Sequence, residues 1–347
     1  MSHLPLNNGK DPEPLSLRDG LSVIILNWNG LELLRRFLPS VVEFTRGEGI
    51  EIVVADNGST DSSAEWVATT YPQVRLLRFS ENLGFAAGYN RALREVGTEY
   101  TILLNSDVEV RQGWWQPLLR FMREHPDCGA CQPKIRSWRD PAKFEYAGAA
   151  GGLIDALGFP YCRGRLFDKV ETDRGQYDEA PAEVAWASGA CMMVRTSAYF
   201  AVGGLDERFF AHMEEIDLCC RLAGAGWRVW AVPDSAVWHV GGASLEQGNP
   251  KKTYLNFRNN LLLLRKNLPR RRGWWMLIVR RLVDTLAWFM FIAKLDFANA
   301  KAILRAHRDY RRMKGFYTDF PASDYMKRLP GANRLILLHF LDKRPVE

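Results

Sequence analysis

Apolar residues recur along this chain in two alternating rhythms. LSVIILNWNG (21–30) is a short β-branched run that stops on polar residues and Gly, the pattern of a buried strand feeding a loop. LELLRRFLPSVVEFT (31–45) then spaces its apolar residues at helical intervals. The pair repeats, with IEIVVADNGSTD (50–61) as a strand and SSAEWVATTYP (62–72) as a helix opened by Asp61 or Ser62. VRLLRFSEN (74–82) predicts a third strand, LGFAAGYNRALREVG (83–97) a Gly-bearing loop into a helix, and YTILLNSD (100–107) a fourth strand.

Strands alternating with helices over short links predict a parallel sheet covered by helices. Right-handed crossovers put the strand C-termini on one edge, where such sheets bind ligands. Each run here ends in polar residues: Asn27 and Asn29; Asp56, Asn57 and Ser59; Asn82; Asn105 and Asp107. A turn explains one such ending, but four on one edge describe a site. The site is not a dinucleotide or P-loop site, because neither GxGxxG nor GxxxxGK[ST] is present. Nor is there a GxSxG nucleophile elbow. Nucleotide phosphates would need another counter-charge, most simply a metal.

Beyond residue 110 the alternation weakens. WWQPLLRFMREHP predicts a helix, and the Gly-rich stretch up to about 180 reads as short strands and loops shaping a cleft. EVAWASGACMMVRTSAYFAVGG (183–204) is strand-like and then helical. EEIDLCCRLAGAG predicts a helix with Glu214, Glu215 and Asp217 in its first turn. Acids there complement the helix dipole. Three within four residues exceed what capping needs, and crowded carboxylates raise one another's pKa, which suits a general base. RVWAVPDSAVWHVGG predicts a short strand ending at His239. With Asp107, that imidazole would form a mixed site suited to Mn²⁺ and tolerable for Mg²⁺.

Six segments in this order, VIILNWNG, VVADNGSTD, ENLGFAAGYNRAL, LLNSDVEV, SGACMMVRTSAYFAVGGLDERFFAHMEEIDLCCRLAGAG and WHVGG, resemble glycosyltransferase family 2, the inverting enzymes of the GT-A fold. Within it the chain is most similar to the bacterial rhamnosyltransferase-like branch, over roughly residues 20 to 265. The resemblance implies an α/β fold with a mostly parallel, Rossmann-like central sheet. It also implies a nucleotide-diphosphate sugar donor, dTDP-rhamnose first and UDP-sugars second. Asn27 and Asn29 would line the nucleotide pocket, and Asp56, acceptor-only when ionised, would read the N3–H of a pyrimidine. Ser59 and Asp61 would sit beside it. Asn82, Gly84, Phe85 and Asn90 would pack on the nucleoside, and Gly189 would lie under the sugar and acceptor. Asp107, the last acid of an Asp-x-Asp-like motif, would hold Mg²⁺ or Mn²⁺, with His239 on the metal's side. Glu215 would be the base, with Glu214 its neighbour and Asp217 an alternative. Two positions depart from the family pattern: Asn105 stands where the simplest motif has Asp, and Glu215 where the family usually has Asp.

The net charge of +6 is uneven. Residues 251–315 hold 17 Lys and Arg against 3 Asp and Glu, which leaves the rest of the chain acidic. This basic stretch mixes Arg270, Arg271, Arg272, Trp274 and Trp275 with apolar runs. Arg280, Arg281 and Asp284 interrupt the one window long enough to span a bilayer. An interface-lying amphipathic segment fits better, with helices packed on the catalytic body as the alternative. No nucleic-acid motif is present. Six Cys in this length read as a reduced set, and the Cys128–Cys131 CxxC as core packing. No signal peptide opens the chain. The expected organisation is a loose leader over 1–19, a catalytic domain over 20–265 with nucleotide-binding (20–110) and acceptor (111–265) halves, and a helical basic extension over 266–347. The expected place is the cytoplasmic face of the inner membrane, acting on a cell-surface glycan or polyprenyl-linked acceptor. Two rival readings are a non-catalytic nucleotide-sugar-binding scaffold and a nucleotidyltransferase. The second lacks a basic triphosphate loop, since Arg35 and Arg36 fall inside a predicted helix.

Overall fold

The computed structural model describes residues 17–166, 169–241, 248–317 and 329–331. Residues 1–16 of the expected leader and much of the chain after 317 lie outside them. Strands β1 (Arg18–Asn27), β2 (Ile50–Asp56), β3 (Arg75–Arg78) and β4 (Thr98–Asn105) pair in parallel in the order β3-β2-β1-β4. Helices α1 (Leu31–Phe44), α2 (Ser63–Thr70) and α3 (Gly84–Val96) cross between them. The period of two along β1 sends Val23 and Ile25 to the core under α1, against Leu34, Leu38 and Val41. Ile24 goes to the opposite core, with Tyr89 and Leu93 of α3. The register puts Asn27 beside Asp56, and Leu26 beside Asn105, so the polar strand ends share one edge.

The second half extends this sheet. β5 (Val108–Glu109), α4 (Gln116–Glu124) and β6 (Cys128–Ser137) are followed by a small antiparallel sheet of β7 (Gly152–Ile154), β8 (Pro160–Cys162), β9 (Arg165–Leu166) and β10 (Lys169–Val170). Then come β11 (Ala182–Glu183), β12 (Cys191–Arg195), α5 (Thr196–Ala201), α6 (Glu214–Gly224) and β13 (Arg228–His239). β12 runs antiparallel to β4 and β6, and β13 runs parallel to β6, with β5 and β11 antiparallel to β13. All six cysteines are buried and none forms a disulfide.

Three helices close the described chain: α7 (Pro250–Asn267), α8 (Arg270–Ala293) and α9 (Phe297–Met313). The boundary expected after residue 265 falls inside α7. Leu261 to Leu264 of α7, Met276 and Leu277 of α8 and Tyr310 of α9 join the same core as Ile24 and Tyr89. Arg280 and Asp284 do not lie on a wet face. Arg280 donates to Asp284 at 2.6 Å and to Asn260 at 2.7 Å, and His307 lies 2.9 Å from Asp284, all on the packed side of α8. Among the described residues no helix is long and apolar enough to cross a membrane.

Candidate active site

The first strand end is a hydrogen-bonded block. Asn27, almost wholly buried, donates to Ser63 Oγ at 2.9 Å and to Asp56 Oδ1 and Ser59 Oγ at 3.3 Å. Asp56 in turn accepts the Ser59 N–H at 3.2 Å. Asn29 adopts a positive φ of 49°, and its Oδ1 accepts the Thr60 N–H at 2.7 Å, which ties the β1 loop to the β2 loop. Asp61 serves two helices at once. Its carboxylate accepts the N–H of Leu31, at the start of α1, and of Ser63, at the start of α2, each at 3.1 Å. Burial tends to raise its pKa, but these bonds and the one from the Ser63 hydroxyl outweigh it and hold the carboxyl below its ordinary value. Asp61 thus caps α1 as well as α2, where the sequence pointed to α2 only.

The second strand end grips the loop before α3. Asn57 donates to Asn82 Oδ1 at 3.1 Å and to the Gly84 carbonyl at 3.0 Å, and accepts the Leu83 N–H at 3.0 Å. Gly84 has φ +82°, so a side chain there would be strained. Asn90 is bonded to other partners. Both ends of its amide are bonded inside the protein, to Leu205 and Glu207 on one side and to Tyr199 and Leu205 on the other. It fastens α3 to the segment leading to α6.

β4 ends at Asn105, and the turn to β5 carries Asp107. The antiparallel pairing of β5 with β13 brings His239 to that turn. His239 Nε2 lies 3.1 Å from Asp107 Oδ1 and 3.5 Å from Asn105 Nδ2. On the other side of the ring, Nδ1 faces Glu145 Oε2 at 3.4 Å. Burial alone would lower the imidazole pKa, but the two carboxylates push it up to about 10. No sequence pattern flags Glu145, which sits in a Gly-Ala segment far from both partners. Among the described residues no group of three or more His, Cys, Asp or Glu forms a metal cage. The donors present are one carboxylate and one imidazole at a strand mouth. That fits a cation whose other positions come from phosphate oxygens and water. Glu145 behind the ring is the kind of outer partner that orients a ligating His.

Gly189 joins the two halves. Asn105 N–H bonds to the Ala190 carbonyl at 3.0 Å, which sets Gly189 beside the strand end. A Cβ built on Gly189 would lie 3.5 Å from Phe85 Cζ and 3.9 Å from Glu215 Cβ. The glycine therefore keeps a gap between the α3 loop and the α6 acids.

The three acids of α6 separate by environment. Asp217 is fully buried and bonded to Arg221 at 2.8 Å, Lys266 at 2.7 Å and Asn267 at 2.9 Å. Burial opposes its charge, but Arg221 and Lys266 outweigh that and lower its pKa. Its carboxylate is committed to these three partners. Glu214 is buried, and burial and then the adjacent Glu215 raise its pKa well above the ordinary carboxyl range. Glu215 is half-buried, and burial raises its pKa to about 7. The Oε2 atoms of both glutamates are out of solvent without a hydrogen-bond partner. A carboxyl poised near neutrality is equipped to exchange a proton.

The backbone before α6 is unusual. Phe210, His212 and Met213 all have positive φ, of 67°, 66° and 75°. Such residues persist only where neighbours hold them. Here α7 does so. Asn259 donates to the carbonyls of Phe209, Ala211 and His212 at 3.0, 2.9 and 2.7 Å, and Arg258 donates to Phe209 O at 2.8 Å. The sequence reading passed over both residues, although an Arg-Asn-Asn run inside a Leu-rich helix is an available signal.

A parallel nucleotide-type half, joined to a mixed half that carries an acid pair, defines a glycosyltransferase of the GT-A fold. The family model for glycosyl transferase family 2 matches residues 22–196. The N-acetylglucosaminyl-diphospho-decaprenol L-rhamnosyltransferase of Mycobacterium tuberculosis is 32% identical over 277 residues, 75% of this chain and 87% of that one. The rhamnosyltransferase WbbL of Escherichia coli is 25% identical over 193 residues, 54% of this chain and 71% of its own. Among solved structures, GalNAc-T7 with UDP, GalNAc and Mn²⁺ superposes with a TM-score of 0.58 at 16% identity, over 90% of this chain and 59% of that one. Staphylococcus aureus TarS in complex with UDP-GlcNAc gives 0.55 at 15% identity, over 84% and 80%. The chain belongs to glycosyltransferase family 2 and is a rhamnosyltransferase-like glycosyltransferase.

Proposed function

We propose that the protein transfers a sugar, rhamnose or a close relative, from a nucleotide diphosphate to a hydroxyl of a glycan or polyprenyl-linked acceptor, with inversion. The observation that carries this reading is Glu215, raised to about 7 and set across the Gly189 gap from Phe85. The similarity to the decaprenol-linked rhamnosyltransferase favours the sugar and a lipid-carried acceptor. An acceptor of that kind would place the enzyme on the cytoplasmic face of a membrane.

Ionised Glu215 takes the proton from the acceptor hydroxyl. The acceptor oxygen then attacks the anomeric carbon opposite the leaving nucleoside diphosphate, and a single displacement inverts that centre. Burial and the adjacent Glu215 push the Glu214 pKa further up, which favours Glu215 as the member of the pair that gives up its proton. Asp56, buried beside Asn27, offers its carboxylate to a pyrimidine N–H. Asp107 and His239 would hold Mg²⁺ or Mn²⁺, with Glu145 fixing the ring. The cation would offset the charge on the departing diphosphate.

Isothermal titration with dTDP and UDP, with and without Mn²⁺, tests this in the wild type and in Asp107→Ala. Metal-dependent binding that the substitution abolishes is the expected result, and the preferred base narrows the donor. If neither nucleotide binds with any metal, the transferase reading at this site falls.

A further inference from the structure

The outer face of α8 has no partner in the described structure. Trp274, Trp275, Leu282, Leu286, Phe289 and Met290 are each more than half exposed. Their spacing aligns them along one side of the helix, opposite buried Met276, Leu277, Arg280 and Asp284. An apolar stripe of this size on a helix is a docking surface rather than scattered exposure. The stripe runs along a helix of 24 residues, about 36 Å.

One end of the stripe opens on a basin of about 730 Å³. Arg265, Arg271, Arg281 and Lys314 line it together with Trp274 and Trp275, and its lining holds no acid. Arg265 brings a buried Nε with no hydrogen-bond partner. Four cations with no counter-ion among the described residues, next to two indoles and a strip of Leu, Phe and Met, match one environment in both charge and polarity. That environment is the headgroup layer of an anionic bilayer.

The other end of the stripe leads to the catalytic cleft. Three residues after α8 the chain enters α9, whose Asn299 bonds to Gly248 at 2.9 Å and to Thr253 at 2.5 Å, just before and within the first turn of α7. In the same turn Lys251 stands 5.3 Å over the ring of Phe210, the residue that packs against Gly84.

We propose that α8 lies in the surface of an anionic phospholipid bilayer, with the basin of Arg265, Arg271, Arg281 and Lys314 on headgroup phosphates and the stripe in the acyl boundary. The cleft is thereby held at the lipid surface. This deepens the lipid-acceptor reading, but its test needs no turnover. Co-sedimentation of the full chain with phosphatidylcholine vesicles, with and without phosphatidylglycerol, reads it directly. Wild type is expected to prefer the anionic vesicles at least tenfold and to lose that preference as salt is raised. Arg271→Gln with Arg281→Gln should lower anionic binding by about 25-fold while leaving neutral-vesicle binding and nucleotide binding unchanged. Trp274→Ala with Trp275→Ala should weaken binding to both vesicle types. Equal binding to the two vesicle types, or no effect of the Arg pair, overturns the proposal. So does a dimer in light scattering that the Trp pair dissolves without any vesicle binding, because the face then belongs to a second copy. A protein that binds vesicles but no nucleotide supports this proposal and refutes only the transferase reading.

Discussion

At the scale of single residues, the α6 acids carry opposite expectations although they lie within four positions. As the proposed base, Glu215 must lose its proton to act, and burial has raised its pKa to about 7. Below that value the base is protonated and idle. Hence kcat/KM should climb about tenfold per pH unit up to about 7 and then level off. Glu215→Gln should lower kcat by about 10²–10⁴-fold with nucleotide affinity unchanged by titration. Burial and the adjacent Glu215 push the Glu214 pKa up, and Gln mimics its protonated form, so Glu214→Gln should keep most activity and the same pH limb. A loss as large as that of Glu215→Gln would assign the base to Glu214. Asp217→Asn should act through stability instead. It leaves Lys266 and Arg221 without their shared carboxylate in a buried site, at a cost of about 3–5 kcal/mol, visible as a lowered midpoint in denaturant.

At the scale of elements, the cleft depends on two constrained loops. The first is at Gly58, in the β2–α2 loop. It has φ +73°, and a Cβ there would meet the backbone of Glu81 and Asn82 at 2.5–2.8 Å. Neither backbone can give way, so Gly58→Ala should destabilise the nucleotide half by about 1–3 kcal/mol and loosen the loop that Asn57 grips. The second is the loop before α6, bent into three positive-φ residues and held by Asn259. Asn259→Ala leaves three carbonyls to find other partners. Its expected signature is a fall in kcat larger than the change in KM, with nucleotide binding retained. If kcat is unchanged while stability falls, α7 supports only the fold.

At the scale of the molecule, α7 to α9 are part of the catalytic body. Leu261 to Leu264 are fully buried, and Lys266 bridges Asp206 and Asp217 from inside α7. A chain ended before α8 should therefore fail to give a soluble folded catalytic domain, because Met276, Leu277 and Tyr310 no longer cover that surface. A monodisperse truncated protein with wild-type nucleotide affinity would show that α8 and α9 are dispensable. The extension thus has two faces, one closing the core and one turned outward. Composition cannot separate them, since Arg280 and Arg281 are adjacent in sequence, yet one is buried and the other exposed.

By itself the sequence determined the alternating strands and helices of the first half, the shared edge of Asn27, Asp56, Asn105 and Asp107, and the acid cluster of α6. Those features are local: they follow from the period of apolar residues and from where each run meets polar ones. Tertiary structure alone decided which of the clustered acids are free, because that depends on Lys266 and Arg221 reaching Asp217 while nothing among the described residues reaches the Oε2 of Glu214 or Glu215. It also showed that Asn90 and Asp61 join distant parts of the frame, Asn90 to the segment before α6 and Asp61 to the starts of α1 and α2. It brought Glu145 to His239, and Asn259 to the loop before α6. These pairings join residues tens to more than a hundred positions apart, and only the packing of distant elements can fix them.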